Sequence, residues 1–443
     1  MSYKPVCLVT APVATRSGYG AHSRDICRAL IKLDKYDVKI WSVRWGNTPM
    51  NALHIDDPND KMIIDRLLSE PSLPKQPELH IHIVIPNEFQ QVGKYNIGIT
   101  AGLETTVCKP EWLQGMNRMD LNIVPATFVQ KTLANISFDV VDDRTQQKTG
   151  VLKNEKPIEV LFEGADTNIY KTTKQFSKSL VDEMNKIEEK FNFLYVGHWL
   201  QGGVGEDRKD TAMLVKVFYE TFKNIKQKPG LIMKTSGAGY SVLDRESILT
   251  KIREIRAGVD GDLPNVYLMH GDFMDEEINE LYNHPKVKAH ISLTHGEGFG
   301  RPLLEASLSE KPVIAPDWSG HTDFLKKPNA VMLGGSLTDV PKSAFPEEFF
   351  VEGMKWFTVN YQEASVRMKD VYKNYRKYTL PAKKLTIGNK VKFSLDSMTK
   401  KFGQILDKYV PEFAEEVKLE LPKLNKVKDV EAPKIKLPKL KKV

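Results

Sequence analysis

Residues 295–324, HGEGFGRPLLEASLSEKPVIAPDWSGHTDF, limit the fold more than any other stretch of the chain. A glycine-punctuated loop, Gly296-Glu297-Gly298-Phe299-Gly300, leads into Arg301-Pro302. Proline is tolerated in a first helical turn, where its missing N–H costs nothing, so a helix is expected at once. Leu303, Leu304, Ala306, Ser307 and Leu308 give that helix a mostly apolar face. The runs 289–293 and 312–315 read as short buried strands before and after it. Together they predict a β-loop-α-β unit, with its loop at the carboxyl end of a strand, where open α/β sheets bind ligands.

The chemistry of the loop suits a phosphorylated ligand. Small residues let the backbone come close, and free N–H groups at a helix start favour an anion. Glu297 and Glu305 frame the same place, one on the loop and one about a turn into the helix. Carboxylates repel phosphate, so their natural partners are hydroxyls, as on a ribose or a hexose. Amides for phosphate beside carboxylates for a polyol describe a nucleotide-sugar pocket.

Glu297-Gly298-Phe299-Gly300 with Glu305 eight positions on resembles the E-x7-E motif of retaining GT-B glycosyltransferases, the group that includes sucrose and glycogen synthases. Lys311-Pro312-Val313-Ile314-Ala315 and Ser319-Gly320 fit the same pattern. The resemblance covers roughly residues 5–410 and is strongest from 193 to 324. It implies an α/β fold of the GT-B type, two doubly wound parallel-sheet Rossmann-like domains facing a cleft. It also implies that Glu297 holds the transferred sugar and Glu305 the donor ribose, with Gly298, Phe299 and Gly300 completing the donor loop.

Residues 5–10 and 38–43 read as strands around a helix at 21–33, a βαβ opening. Gly18-x-Gly20 is followed by Ser23, so the dinucleotide-binding G-x-G-x-x-G is incomplete. In GT-B enzymes the corresponding loop faces the cleft, which makes Gly18 and Gly20 expected donor-phosphate contacts, with Arg16 and His22 as lesser candidates. A short helix is expected at 60–68. The alternating 80–84 places His80 and His82 on one strand face, where a packed or exposed pair outweighs a metal site. Strands at 95–100 and 121–125 continue the β/α alternation, which implies a parallel sheet. The loop after the first of these carries Glu104, an expected acceptor contact by its position in the family.

Glu163-Gly164-Ala165-Asp166 resembles the segment that closes the family's first domain, with Glu163 in place of a small polar residue. A hinge is expected at 168–190. Residues 193–197 match the strand that opens the second domain, and His198 stands where an arginine for the diphosphate is usual. Before the helix expected at 211–222, Lys209 takes the phosphate-binding lysine position and Arg208 is the candidate replacement for that arginine. Cations there stabilise charge growing on a departing diphosphate. Strands are expected at 231–235 and 266–271, the latter bringing His270 to the nucleotide base, and a helix at 275–282. Asp323 follows Ser319-Gly320 as a sugar contact or a helix cap. Residues 347–378 read as helical, and the helix at 397–409 as the one that returns to the first domain. The expected domains are therefore 1–170 with 394–410, 171–393, and a tail from 411 to 443.

Hydrophobic residues make up 41% of the chain and charged ones 27%, as in ordinary soluble proteins. Cys7, Cys27 and Cys108 have no metal-ligand spacing and read as reduced core thiols. With no signal peptide and no apolar span, a cytoplasmic protein is expected, in the host cell if the chain is phage-encoded. After Glu420 eight lysines face only Asp429 and Glu431, so nearly all of the net charge of +7 lies in a Lys/Leu/Pro tail that reads as flexible. Such a tail suits nucleic acid, anionic lipid or an acidic partner, or merely solvates the chain.

The resulting expectation is a glycosyltransferase that moves a sugar from a nucleotide sugar, UDP-linked first, to a hydroxyl acceptor. It uses no cofactor and no metal, since lysine and amides can replace Mg²⁺ in this fold. Some phages glycosylate DNA with GT-B enzymes, so hydroxymethylated bases in DNA are the first acceptor considered. A cell-surface glycan or a small polyol is the alternative. A GT-B isomerase, a phosphorylase and a non-catalytic nucleotide-sugar binder remain as other classes.

Overall fold

The computed structural model describes residues 3–237, 239–345 and 347–415. The expected cationic tail therefore lies outside the described residues from 416 onward.

Two six-stranded sheets organise the chain. The first is built from β1 (Val6–Ala11), β2 (Asp37–Ser42), β3 (Leu79–Ile83), β4 (Tyr95–Ile99), β5 (Leu121–Val124) and, beyond a surface hairpin of β6 (Ser137–Val141) and β7 (Lys148–Lys153), β8 (Ile158–Val160). Its order is β2-β1-β3-β4-β5-β8 and every pairing is parallel. The second contains β9 (Asn192–His198), β10 (Gly230–Ser236), β11 (Val266–Met269), β12 (Val287–Ile291), β13 (Val313–Pro316) and β14 (Val331–Leu333). Its order is β11-β10-β9-β12-β13-β14, again all parallel. Parallel strands need crossovers, and the helices supplying them cover both faces, so the strands are buried on both sides. Every residue of β3, β5, β10 and β13 is buried. The doubly wound α/β reading is what the structure shows.

Each sheet reverses its order once, between β1 and β3 and between β9 and β12. A crevice opens at such a switch point outside the strand ends. The loops after β1 and after β12 are the glycine loops singled out in the sequence.

The chain passes from one sheet to the other near Ala165 and returns near Ser394, and the two crossings lie side by side. Ala165 N–H donates to the Phe393 carbonyl at 2.8 Å, and Leu395 N–H to the Ala165 carbonyl at 2.9 Å. A Cβ on Gly164 would stand 2.7 Å from Leu395 Cα, so only glycine allows this approach. The expected hinge at 168–190 instead contains a helix, Lys178–Asn185, whose Leu180 and Met184 pack into the core beneath the second sheet. The helix Leu395–Tyr409 buries Met398, Phe402, Ile405 and Leu406 against the first sheet.

The helical reading of 347–378 is corrected by the structure. Tyr361–Lys373 and the first turn of Arg376–Lys392 are α-helical there, whereas Lys355–Val359 is strand β16, paired antiparallel with β15 (Gly335–Asp339). Gly353 has φ +78°, which breaks any helix before it, and the β-favouring Trp356-Phe357-Thr358-Val359 follows. The helix Arg376–Lys392 runs past the end of the expected helical range. No helix among the described residues is long and apolar enough to cross a membrane.

Candidate active site

The loop 296–300 folds as the sequence implies, and the helix Arg301–Ser307 starts directly after it. Gly300, at φ +95°, is the residue that turns the loop into the helix, a conformation costly for any side chain. Leu303, Leu304 and Ala306 bury the apolar face in the core under the second sheet. The glycines meet protein backbone. A Cβ on Gly298 would lie 2.1 Å from the Ala101 carbonyl oxygen, in the loop after β4, and one on Gly320 would lie 1.9 Å from the Gly298 oxygen. The smallness of Gly298 lets the two domains touch, and that of Gly320 lets it pack on the 296–300 loop.

Between the domains lies a cavity of about 680 Å³, lined by the loops after β1, β4, β9 and β12. Among the residues singled out from sequence, Gly18, Glu104, Arg208, Lys209, Glu297, Gly298, Phe299, Gly300 and Glu305 border it.

The charged groups pair in a way their spacing did not indicate. Lys209 Nζ donates to both Glu297 oxygens, at 2.5 and 2.6 Å. Arg208 Nη1 donates to the Gly296 carbonyl at 2.9 Å and lies 3.2 Å from Glu104 and 3.9 Å from Glu297. The residue expected on the acceptor side and those expected on the donor side thus form one cluster. Burial alone would raise the Glu297 carboxyl, but Lys209 and Arg208 bring it below the usual carboxylate range. Glu297 is therefore an ionised acceptor of hydrogen bonds.

Glu305 has a partner the sequence reading missed. Arg301 Nε donates to Glu305 at 2.9 Å, and its Nη1 donates to Asp25 at 2.6 Å, on the helix Gly18–Leu33 of the other domain. One guanidinium shared between two carboxylates does not fully neutralise both, and burial holds Glu305 up at about 8. The Arg301–Glu305 spacing of four on a helix was the available signal; nothing in the sequence pointed to Asp25.

Other expected residues sit differently. Gly20 packs against Thr15, where a Cβ would lie 2.2 Å from the carbonyl oxygen, while the space around Gly18 is open. The Phe299 ring is 2% exposed and packs on Phe324 and Phe393, which leaves mainly its backbone for the cavity. His270 is engaged with Asp244, Nε2 to Oδ2 at 2.7 Å, and its side chain does not border the cavity. Arg16 lies 3.1 Å from Asp272 across the cleft, and His22 is buried. His80 and His82 form a packed pair held by Thr10 and by the backbone of Gln90. His198 borders the cavity, and burial together with Lys209 and Lys234 lowers its pKa, which favours the neutral ring. Asp323 accepts from Thr127 N–H at 2.8 Å and so caps the helix Thr127–Asn135 of the other domain. No group of side chains among the described residues is arranged to hold a metal ion.

No protein-family model matches the sequence, and no curated protein matches it. Solved structures match over nearly the whole chain. The sucrose-phosphate synthase of Thermosynechococcus elongatus aligns with 92% of this chain and 99% of its own, at a TM-score of 0.60 and 13% identity. Anabaena HepE in complex with UDP and glucose aligns with 91% of this chain and 100% of its own, at a TM-score of 0.57 and 12% identity. The E. coli trehalose-6-phosphate structure bound with UDP-2-fluoro glucose gives 92%, 100%, 0.57 and 12%. At such identities these likenesses establish the fold: the chain has the two-domain GT-B architecture.

Proposed function

We propose that this protein is a retaining glycosyltransferase that takes its sugar from a UDP-linked donor and passes it to a hydroxyl group. The observation that carries the reading is the meeting of Glu297 and Glu305 with Lys209 and Arg208 at the border of one inter-domain cavity. A nucleotide sugar has one part for each. Its sugar hydroxyls suit the ionised Glu297, its ribose hydroxyls suit Glu305, and its diphosphate suits Lys209 and Arg208. HepE, of like fold, binds UDP and glucose, which supports the choice of nucleotide.

In the proposed step the bond from the anomeric carbon to the diphosphate oxygen breaks. The acceptor oxygen bonds to that carbon on the same face, and its proton passes to the departing diphosphate. The diphosphate gains negative charge as it leaves, and fixed cations in a water-poor site stabilise that charge most in the transition state. Lys209→Ala should therefore slow transfer about 100–1000-fold. For the acceptor, hydroxymethylated bases in DNA are supported by the lysines after Glu420.

Thermal shift with UDP-, GDP- and ADP-sugars on wild type and Glu305→Ala tests the donor. A UDP-sugar at 100-fold its Kd should stabilise wild type by about 2.7 kcal/mol and the variant by clearly less. If no nucleotide sugar shifts the melting temperature, the proposal fails.

A further inference from the structure

The cavity has a second half whose chemistry differs from that of the donor contacts. Trp45, Leu103, Val107 and Trp112 of the first domain line it, and Phe345 and Met354 of the second complete it. Trp45 stacks on Tyr19 with ring centroids 4.0 Å apart, and the Tyr19 hydroxyl lies 2.8 Å from Thr100 Oγ1. That indole is held in a fixed plane. The opposite wall is tied down as well: Thr106 N–H donates to the Lys355 carbonyl at 2.9 Å, and Lys355 N–H donates to Thr106 Oγ1 at 3.0 Å.

Such walls discriminate between carriers of a hydroxyl. A polyol would lay most of its hydroxyls against carbon and lose their hydrogen bonds to water. A flat unsaturated ring has few polar groups to lose, and it packs well against indole faces. Glu163 supplies the polar contact that such a ring alcohol needs. It borders the same cavity at 7% exposure, and its carboxyl interacts by charge with Arg301, Asp25 and Glu297 while making no hydrogen bond among the described residues. A buried carboxylate at a cavity wall without a hydrogen-bond donor is an open place for a ligand hydroxyl.

We propose that this half of the cavity is the acceptor subsite, that it takes an alcohol carried on a flat unsaturated ring, and that the alcohol donates its hydrogen bond to Glu163. The inference rests on the donor reading above. Two sources share this chemistry, a free aryl alcohol and a hydroxymethylated base presented by DNA. The proton leaves with the diphosphate as already described, so Glu163 orients the hydroxyl and the aromatic walls select its carrier.

The test uses the full chain saturated with UDP and titrated calorimetrically with 4-nitrobenzyl alcohol, an oligonucleotide containing 5-hydroxymethylcytosine, glycerol and glucose. At least one ring alcohol should bind ten-fold or more tightly than glycerol and glucose. Tighter binding of this oligonucleotide than of one with cytosine in place of 5-hydroxymethylcytosine assigns the ring to DNA, and preference for the aryl alcohol assigns it to a small molecule. Trp112→Ala should weaken ring binding ten-fold or more while UDP still shifts the melting temperature; Trp45→Ala replaces it if that variant does not fold. Glu163→Leu should abolish the preference for 4-nitrobenzyl alcohol over 4-nitrotoluene. If UDP gives no shift on wild type, the donor reading fails. If UDP shifts it but glycerol or glucose binds as tightly as both ring alcohols, or the tryptophan variants keep wild-type affinity, the acceptor inference alone is overturned.

Discussion

Arg301 sits between two carboxylates that belong to different domains, Asp25 and Glu305, and so ties the helix Arg301–Ser307 to the first domain. Glu163 feels the same guanidinium, yet burial outweighs it and raises this carboxyl to about 7. The folded protein thus holds that proton more tightly than the unfolded chain, where the group titrates near 4.5. Ionising Glu163 costs nothing in stability below pH 4.5, and the cost grows until pH 7 and is complete above it. Glu163→Gln removes the cost. The variant should match wild type in denaturant unfolding at pH 4 and exceed it by about 3 kcal/mol at pH 8. Equal stability at both pH values would show that the site does not hold the proton. Glu297 and Lys209 were both legible from motif and position, but not their ion pair. Eighty-eight residues separate them in sequence, and no local pattern reports an approach of that length.

Elements show the same division. The unit from β12 through β13 was legible because strand, glycine loop, N-terminal proline and helix each carry a local signature. The β15–β16 hairpin was missed, since a short run such as 355–359 is ambiguous until its partner strand is known. It matters to the site, for Phe345 and Met354, between its two strands, wall the cavity. Asp323 is a second case. Sequence offered it as a sugar contact or a cap, and in the fold it caps a helix of the other domain. Asp323→Ala should cost about 1 kcal/mol, the usual worth of an N-cap. Unchanged unfolding would remove that role, and loss of donor binding without loss of stability would favour the sugar contact.

Across the whole molecule, the two sheets place their switch-point crevices face to face, and the small residue at Gly298 allows the backbones to meet there. The charge of the chain is separate from this architecture, since it gathers after Glu420. If that segment binds DNA, removing residues 416–443 should weaken binding to an oligonucleotide and flatten its dependence on salt, because fewer counterions are released. The UDP-induced shift should persist in the truncated chain. An unaltered salt slope would exclude the segment from DNA contact.

What the sequence determined by itself is what short-range physics encodes. Apolar runs and their periods specified alternating strands and helices, alternation specified parallel sheets, and glycine, proline and two glutamates marked the loop that borders the inter-domain cavity. Only the tertiary structure decided which charges pair, which glycines serve inter-domain contact, and that tryptophans from the first domain share one cavity with the 296–300 loop of the second. Those outcomes depend on distances between segments far apart in the chain, and such distances exist only once both cores have packed.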